Sequence, residues 1–449
     1  MSSEKQRPLI RPLFAPSVKP DWSWHRLDDV SEVYDCPHST PELVEDTSAP
    51  FVVRSQDMRS GTFLTVNAAR VSLETYQERI RRIEPRFGDL VYSREGTYFG
   101  IAAAVPRGVK VCLGQRMVLI RPDPARVHHA FLRYWLNSPQ IFSHIHGFRD
   151  GTVAERLNLP VIRGLAVAFP SLTEQVAIAD VLSSLDDRIA LLRETNATLE
   201  AIAQALFKSW FVDFDPVRAR QQGLAPKGMD EATAALFPDG FEESEMGLVP
   251  KGWRWMALEE AYWINPPRKL KKGEPAPYID MSSVPTQGHS PEAPTLREHG
   301  SGSKFQNGDA LLARITPCLE NGKSAFVDCL DDGKIAWGST EFIVLKPKPP
   351  LPDYHAYLLC RHPAFREYAI QSMSGTSGRQ RVQNDVLGRF MITVPDTTVT
   401  EAFGSQVLAI QQKIACNHHQ AQTLATLRDT LLPRLISGQL RLPEVGDEN

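Results

Sequence analysis

The chain has 449 residues, 42% of them hydrophobic and 23% charged, and a formal net charge of −3. That length suggests two to four domains, and the charge excludes a globally basic coat of the kind that binds nucleic acid over a whole surface. Six cysteines with no C-x-x-C pair argue against a disulfide framework or thiolate zinc site and fit a reducing cytosol, and no window approaches the ~20 apolar residues of a membrane span.

In chain order, residues 1–20 read as a tail without the apolar run of a signal peptide. Residues 21–170 carry short strand patterns at 52–58, 89–94 and 116–122, bounded by Gly and Pro, and a helix pair over 128–145 broken near Pro139. Residues 171–213 read as one long helix. Leu182, Leu185, Ile189, Leu192, Asn196, Leu199, Ala203, Leu206 and Trp210 alternate spacings of three and four, which is an a/d seam. From 174 to 211 such a helix is about 55 Å long at 1.5 Å per residue. Residues 214–249 read as an acidic linker: from 213 to 247 there are eight acidic residues against three basic, with room for a short helix at 231–236. Residues 250–396 repeat the strand patterns at 310–314 and 341–347 and the helix pair at 354–373. Residues 397–440 form a second long helix with the seam Val407, Ile410, Ile414, Asn417, Ala421, Leu424, Arg428, Leu431 and Leu435, and Pro433 kinks or ends it near its last turn. Residues 441–449 are a C-terminal tail.

The two halves are copies. Trp22-Ser23-Trp24 recurs as Trp253-Arg254-Trp255, Gly88-Asp89 as Gly308-Asp309, the strand from Met117 as that from Phe342, Ser138-Pro139 as His362-Pro363, and Arg188-Ile189 as Lys413-Ile414. The offsets of 231, 220, 225, 224 and 225 keep their order and barely drift, as a diverged tandem duplication requires. The fold class is therefore α+β: two globular α/β domains, each followed by a long helix, with the two helices pairing as an antiparallel coiled coil of pseudo-two-fold symmetry. One amphipathic helix packed on each domain's own core is the other reading of the seams.

Charge is uneven. Residues 70–165 hold fifteen Lys/Arg against eight Asp/Glu, and 264–395 hold sixteen against thirteen. Two modestly basic domains suit a polyanion met at two places, and an ordinary solvated surface has the same charge. Polar loops sharpen the first reading, because they occupy matched places in the repeat: 93–99 and 313–323, 114–116 and 338–341, 151–156 and 375–383. Arg and Lys read guanine or hold phosphate, and Gln and Asn read adenine. The candidate DNA contacts are Arg54, Gln56, Arg94, Thr97, Tyr98, Gln115 and Arg116 in the first copy. In the second they are Arg314, Thr316, Asn321, Lys323, Thr340, Arg379 and Arg381.

Catalytic motifs are absent. Gly322-Lys323-Ser324 is the tail of a P-loop, but Pro317 stands where the opening glycine belongs, followed by Cys318, and a proline has no N–H to offer. Asn265-Pro266-Pro267-Arg268 lacks the aromatic that would stack on a flipped base. His128-His129 and His418-His419 read as exposed pairs without further ligands. No catalytic residue and no metal site is expected.

Residues 87–106, 112–123 and 169–217, followed by 278–285, 305–327, 338–347 and 430–440, resemble the specificity subunits of type I restriction–modification enzymes. The block Lys208-Ser209-Trp210-Phe211-Val212-Asp213-Phe214 is the most specific match. The resemblance implies that 21–170 and 250–396 are target recognition domains, each reading half of a bipartite site in double-stranded DNA, and that the helices set the spacer. It also implies two modification subunits bringing S-adenosylmethionine, restriction subunits using ATP and Mg2+, no cofactor or catalysis in this chain, and a bacterial or archaeal cytoplasm. A specificity module of a related methylation-based phage defence system and a coiled-coil scaffold without a nucleic-acid role are the alternatives.

Overall fold

In a computed structural model the chain is described over residues 18–59, 61–65, 68–96, 99–146, 156–376 and 378–443. It divides into two compact units. One holds the described residues up to Arg188 together with those from Thr423 onward, and the other is Ile189–Gln422.

Each unit is built on the same strand plan. The opening strand, Ser23–Arg26 or Arg254–Ala257, pairs antiparallel with the closing strand, Ala166–Phe169 or Met391–Val394. A one-turn helix follows the opening strand in both units, Leu27–Val30 and Leu258–Ala261. The central sheet of the first unit then runs Ser31–Asp35, Met117–Pro122, Leu90–Ser93, Ala102–Ala104, and that of the second Tyr262–Ile264, Phe342–Pro347, Ala310–Ala313, Ser324–Phe326. Two short strands, Thr62–Phe63 and Met58–Arg59, extend the first sheet, whereas the second unit places a separate four-stranded sheet beside its own.

The inner strands are mostly apolar because both faces of the sheet are covered. Side chains alternate between two cores, as the period of two demands. In the first unit Leu90, Tyr92, Val118 and Ile120 enter the core shared with the helices, while Val91, Met117 and Leu119 enter a smaller outer core. In the second, Ala310, Leu312, Ile343 and Leu345 face the helical core, and Leu311, Phe342 and Val344 the outer one. The Gly-Asp turn before the central strand has one cause in both units. Asp89 accepts from the Arg86 amide (2.9 Å) and Asp309 from the Gln306 amide (2.8 Å), and the glycine ahead of each has positive φ. Each aspartate is also buried against a cation, Asp89 on Arg121 and Asp309 on Arg268, both at 2.6 Å.

The long helices are Leu172–Phe211 and Thr397–Ile436, so the repeat offset is 225 at both of their ends. Pro433 lies in the final turn, three residues before the helix stops. All seam residues are buried or half-buried. The helices run antiparallel. In the second unit Trp210 packs on Phe403 with ring centroids 5.5 Å apart, and Asn417 donates to the side-chain oxygen of Asn196 (2.9 Å). In the first unit Arg428 pairs with Asp186 (2.7 Å). The start of the first helix and the end of the second share the first unit's core through Ile178, Leu182, Leu432, Leu435 and Ile436. The end of the first and the start of the second share the second unit's core through Ala203, Phe207, Trp210, Phe403 and Val407.

Two expectations need correction. Segment 214–249 is not a bare linker. It forms the helices Asp215–Gln221 and Glu231–Ala235 and the hairpin Phe241–Ser244 with Gly247–Pro250, and it buries Phe214, Val217, Phe237 and Val249 in the second unit's core. Apolar residues spaced among the acidic ones anchor it while the carboxylates stay in water. The histidine pairs are also less exposed than expected: His128, His129 and His418 are half-buried and only His419 is exposed. Burial pushes His129 down to about 4.

Candidate nucleic-acid interface

The matched polar loops come together at the end of each central sheet, and the same backbone hydrogen bonds assemble them twice. In the first unit the Arg94 amide donates to the Arg116 carbonyl (3.1 Å) and the Leu157 amide to the Arg94 carbonyl (2.8 Å). In the second, the Arg314 amide donates to the Glu341 carbonyl (2.9 Å) and the Val382 amide to the Arg314 carbonyl (3.0 Å). Glu95 bridges Arg156 as Ile315 bridges Arg381. Arg116, Arg156 and Leu157 match Glu341, Arg381 and Val382 at the repeat offset. One backbone frame therefore presents two different sets of side chains.

Those sets differ in charge. Arg94 meets Asp35 (3.3 Å) and is one-fifth exposed. Arg116, in the left-handed backbone region, meets Glu95 (3.2 Å) and is 57% exposed. In the second unit the carboxylate sits at the other matched position. Glu341 receives a fork from Arg381, with contacts of 2.6 to 3.0 Å, and these hydrogen bonds hold its carboxyl below the usual range. Arg314 donates from Nη2 to the Gln383 side-chain oxygen (3.2 Å), and its Nε is shielded from solvent without a hydrogen-bond partner among the described residues. The Gln380 amide donates to the Thr316 hydroxyl (3.1 Å), and the Thr316 amide to the Gln380 carbonyl (3.1 Å), which ties this loop to the last one. Gln56, Asn321, Thr340 and Arg379 are exposed at the surface.

Other candidates are held inside their own unit. Arg54 is locked by its backbone and guanidinium onto Asp57 (2.8 to 3.0 Å). Gln115 receives from the Thr40 hydroxyl (3.0 Å) and donates to the His38 carbonyl. Lys323, named as a phosphate contact, instead donates to the Met281 carbonyl (2.5 Å). Ser324 beside it is buried at the start of a strand. Gly322 has φ +77°, and a Cβ there would lie 2.9 Å from Arg366 Nη2, so it is a glycine for both reasons. The Gly322 and Glu320 carbonyls accept from Arg361 (2.9 Å) and Arg366 (3.1 Å). The Gly-Lys-Ser stretch is thus a loop clamped by two arginines of the helix pair. Asn265-Pro266-Pro267-Arg268 is structural as well, with Asn265 paired to Val344 and Arg268 buried on Asp309. Thr97, Tyr98 and residues 151–155 lie outside the described residues.

Sequence reasoning missed Asp35 and Gln383, which decide how free the two matched arginines are. A comparison of the copies at one offset carries the signal: Arg116 against Glu341 is a charge reversal at a frame position. Among the described residues no group of His, Cys, Asp and Glu could hold a metal ion, and no helix is long and apolar enough to cross a membrane.

Two α+β domains of one plan are thus joined to two antiparallel helices and bear duplicated polar loops. Residues 19–201 match the model of the type I restriction modification DNA specificity domain. The chain is 26% identical over 418 residues to the HindI specificity subunit of Haemophilus influenzae, covering 79% of this chain and 86% of that one. It is 22% identical to the MjaIX specificity subunit of Methanocaldococcus jannaschii, covering 95% of each. The crystal structure of a type I S subunit from M. genitalium matches in fold, with TM-score 0.54 and 17% identity over 93% of this chain and 98% of that one. By these matches the chain is similar to type I restriction enzyme specificity subunits over most of its length.

Proposed function

We propose that the chain is the non-catalytic, DNA-reading subunit of a type I restriction–modification complex. Domains 21–170 and 250–396 each read one half of a split site, and the paired helices set the spacer. Two modification subunits supply S-adenosylmethionine and methylate an adenine in each half-site. Restriction subunits supply ATP- and Mg2+-dependent cleavage, and the complex works in the cytoplasm. The observation that supports this reading is the loop frame built twice from the same backbone hydrogen bonds but lined by different side chains. A site that binds one small ligand has no reason to be duplicated and then diversified, whereas two readers of unlike base pairs must differ at the side chains and agree in the frame. Co-expression with the cognate modification subunit, followed by genome-wide adenine methylation mapping, should yield one split motif. No new methylation in the presence of a competent partner would overturn the proposal.

A further inference from the structure

The two matched arginines, Arg94 and Arg314, stand in one backbone frame but in opposite electrostatic states. Arg94 lies 3.3 Å from the Asp35 carboxylate, which cancels its charge and fixes its direction. The copy of Asp35 at the offset of its strand is Pro266, so the second unit has no carboxylate to offer there. The other carboxylate of that cluster, Glu341, is already forked by Arg381. Among the described residues Arg314 makes no ion pair, and its one side-chain partner is the neutral oxygen of Gln383. Because Nε is shielded, the guanidinium has only its outer nitrogens to present. The Gln383 side chain is exposed beside it and, with its oxygen engaged by Arg314, has its amide hydrogens to give.

The pair is therefore a positioned set of donors bearing one uncancelled positive charge. Its complement is two acceptors side by side. In the major groove that pattern belongs to guanine, through N7 and O6. A backbone phosphate can take the same fork, but Gln383 beside Arg314 adds neutral amide donors suited to a base edge, and the salt dependence in the test below separates the two.

Resting on the function proposed above, we infer that Arg314, positioned by Gln383, reads a guanine in the half-site of the second domain, while its twin Arg94 is a structural residue that reads nothing. The test uses the full chain assembled with its modification subunits, with methylation mapping and measurement of DNA affinity against salt. Wild-type complex must first give a split motif, and its absence sinks the function proposal and this inference together. Given that motif, R314A and R314K should both relax one guanine position in one half only, with a roughly 10- to 100-fold loss of discrimination at that base pair. Q383A, a change at an exposed side chain, should relax the same position more mildly. R94A should leave both half-motifs intact. If R314K keeps the motif while R314A weakens all sequences equally and shallows the salt dependence, the contact is to phosphate and the inference is wrong. It is also wrong if R94A relaxes the other half-motif as strongly, or if neither R314A nor Q383A changes the motif.

Discussion

At the scale of single residues, burial decides which polar groups belong to the fold and which to the surface. His355 lies among Phe207, Phe211 and Phe403, bonded through Nδ1 to the Tyr262 hydroxyl, and its Nε2 has no partner among the described residues. Burial pushes it down to about 3. A histidine whose folded pKa is depressed contributes stability that is present above its unfolded value near 6.5 and is lost as pH falls toward the folded one. Thermal or urea unfolding should therefore show stability dropping by about 1.4 kcal/mol per pH unit below 6.5 from this group. The H355Q variant should show a shallower acid slope between pH 6.5 and 4.5. An unchanged slope would mean that the ring is charged or hydrated in the fold. The same reasoning separates Lys323, spent on a backbone carbonyl, from Arg379, which is exposed.

At the scale of elements, the long helices show why a seam carries polar residues. Asn196 and Asn417 fall at different steps when the copies are laid in parallel. Antiparallel pairing sets them face to face, with Asn196 also donating to the Ile414 carbonyl (3.1 Å). Arg428, which breaks the second seam in sequence, meets Asp186, and that carboxylate also accepts from the Tyr134 hydroxyl (2.5 Å). Neither feature is a flaw in the seam, since each polar group has its partner on the facing helix. The pair makes a stability prediction. N417L should cost about 1–3 kcal/mol, because it leaves the Asn196 amide group short of a partner. The double change N196L/N417L should recover most of that loss, since two apolar groups replace a satisfied pair. Equilibrium urea unfolding of the four proteins of the cycle measures this, and additive losses would show that the two asparagines do not act as a pair.

At the scale of the molecule, the duplication predicts separable halves. Each unit has its own sheet, its own cores and its own loop frame. Replacing residues 250–396 by the corresponding domain of another specificity subunit should change one half of the methylated motif and leave the other alone, as methylation mapping would read directly. A motif altered in both halves would refute modular reading. The exchanged segment should keep 214–249 with its own helical core, because Phe214, Phe237 and Val249 are buried there against Trp210 and Trp253. Cutting that segment short would therefore destabilise the second unit and not merely shorten a tether.

The sequence by itself determined the duplication, the two long helices to within a few residues, the apolar strands and the loops that cluster. Each of these is a periodicity, an offset or a turn signal, and all three are read along the chain without knowing which residues meet in space. The tertiary structure decided which matched residues are free. Arg94 and Arg314 look alike in sequence. What separates them is Asp35, 59 residues before Arg94, and Gln383, 69 residues after Arg314. Whether a charge is cancelled depends on a neighbour a few ångströms away in space, and spacing along the chain does not record that neighbour.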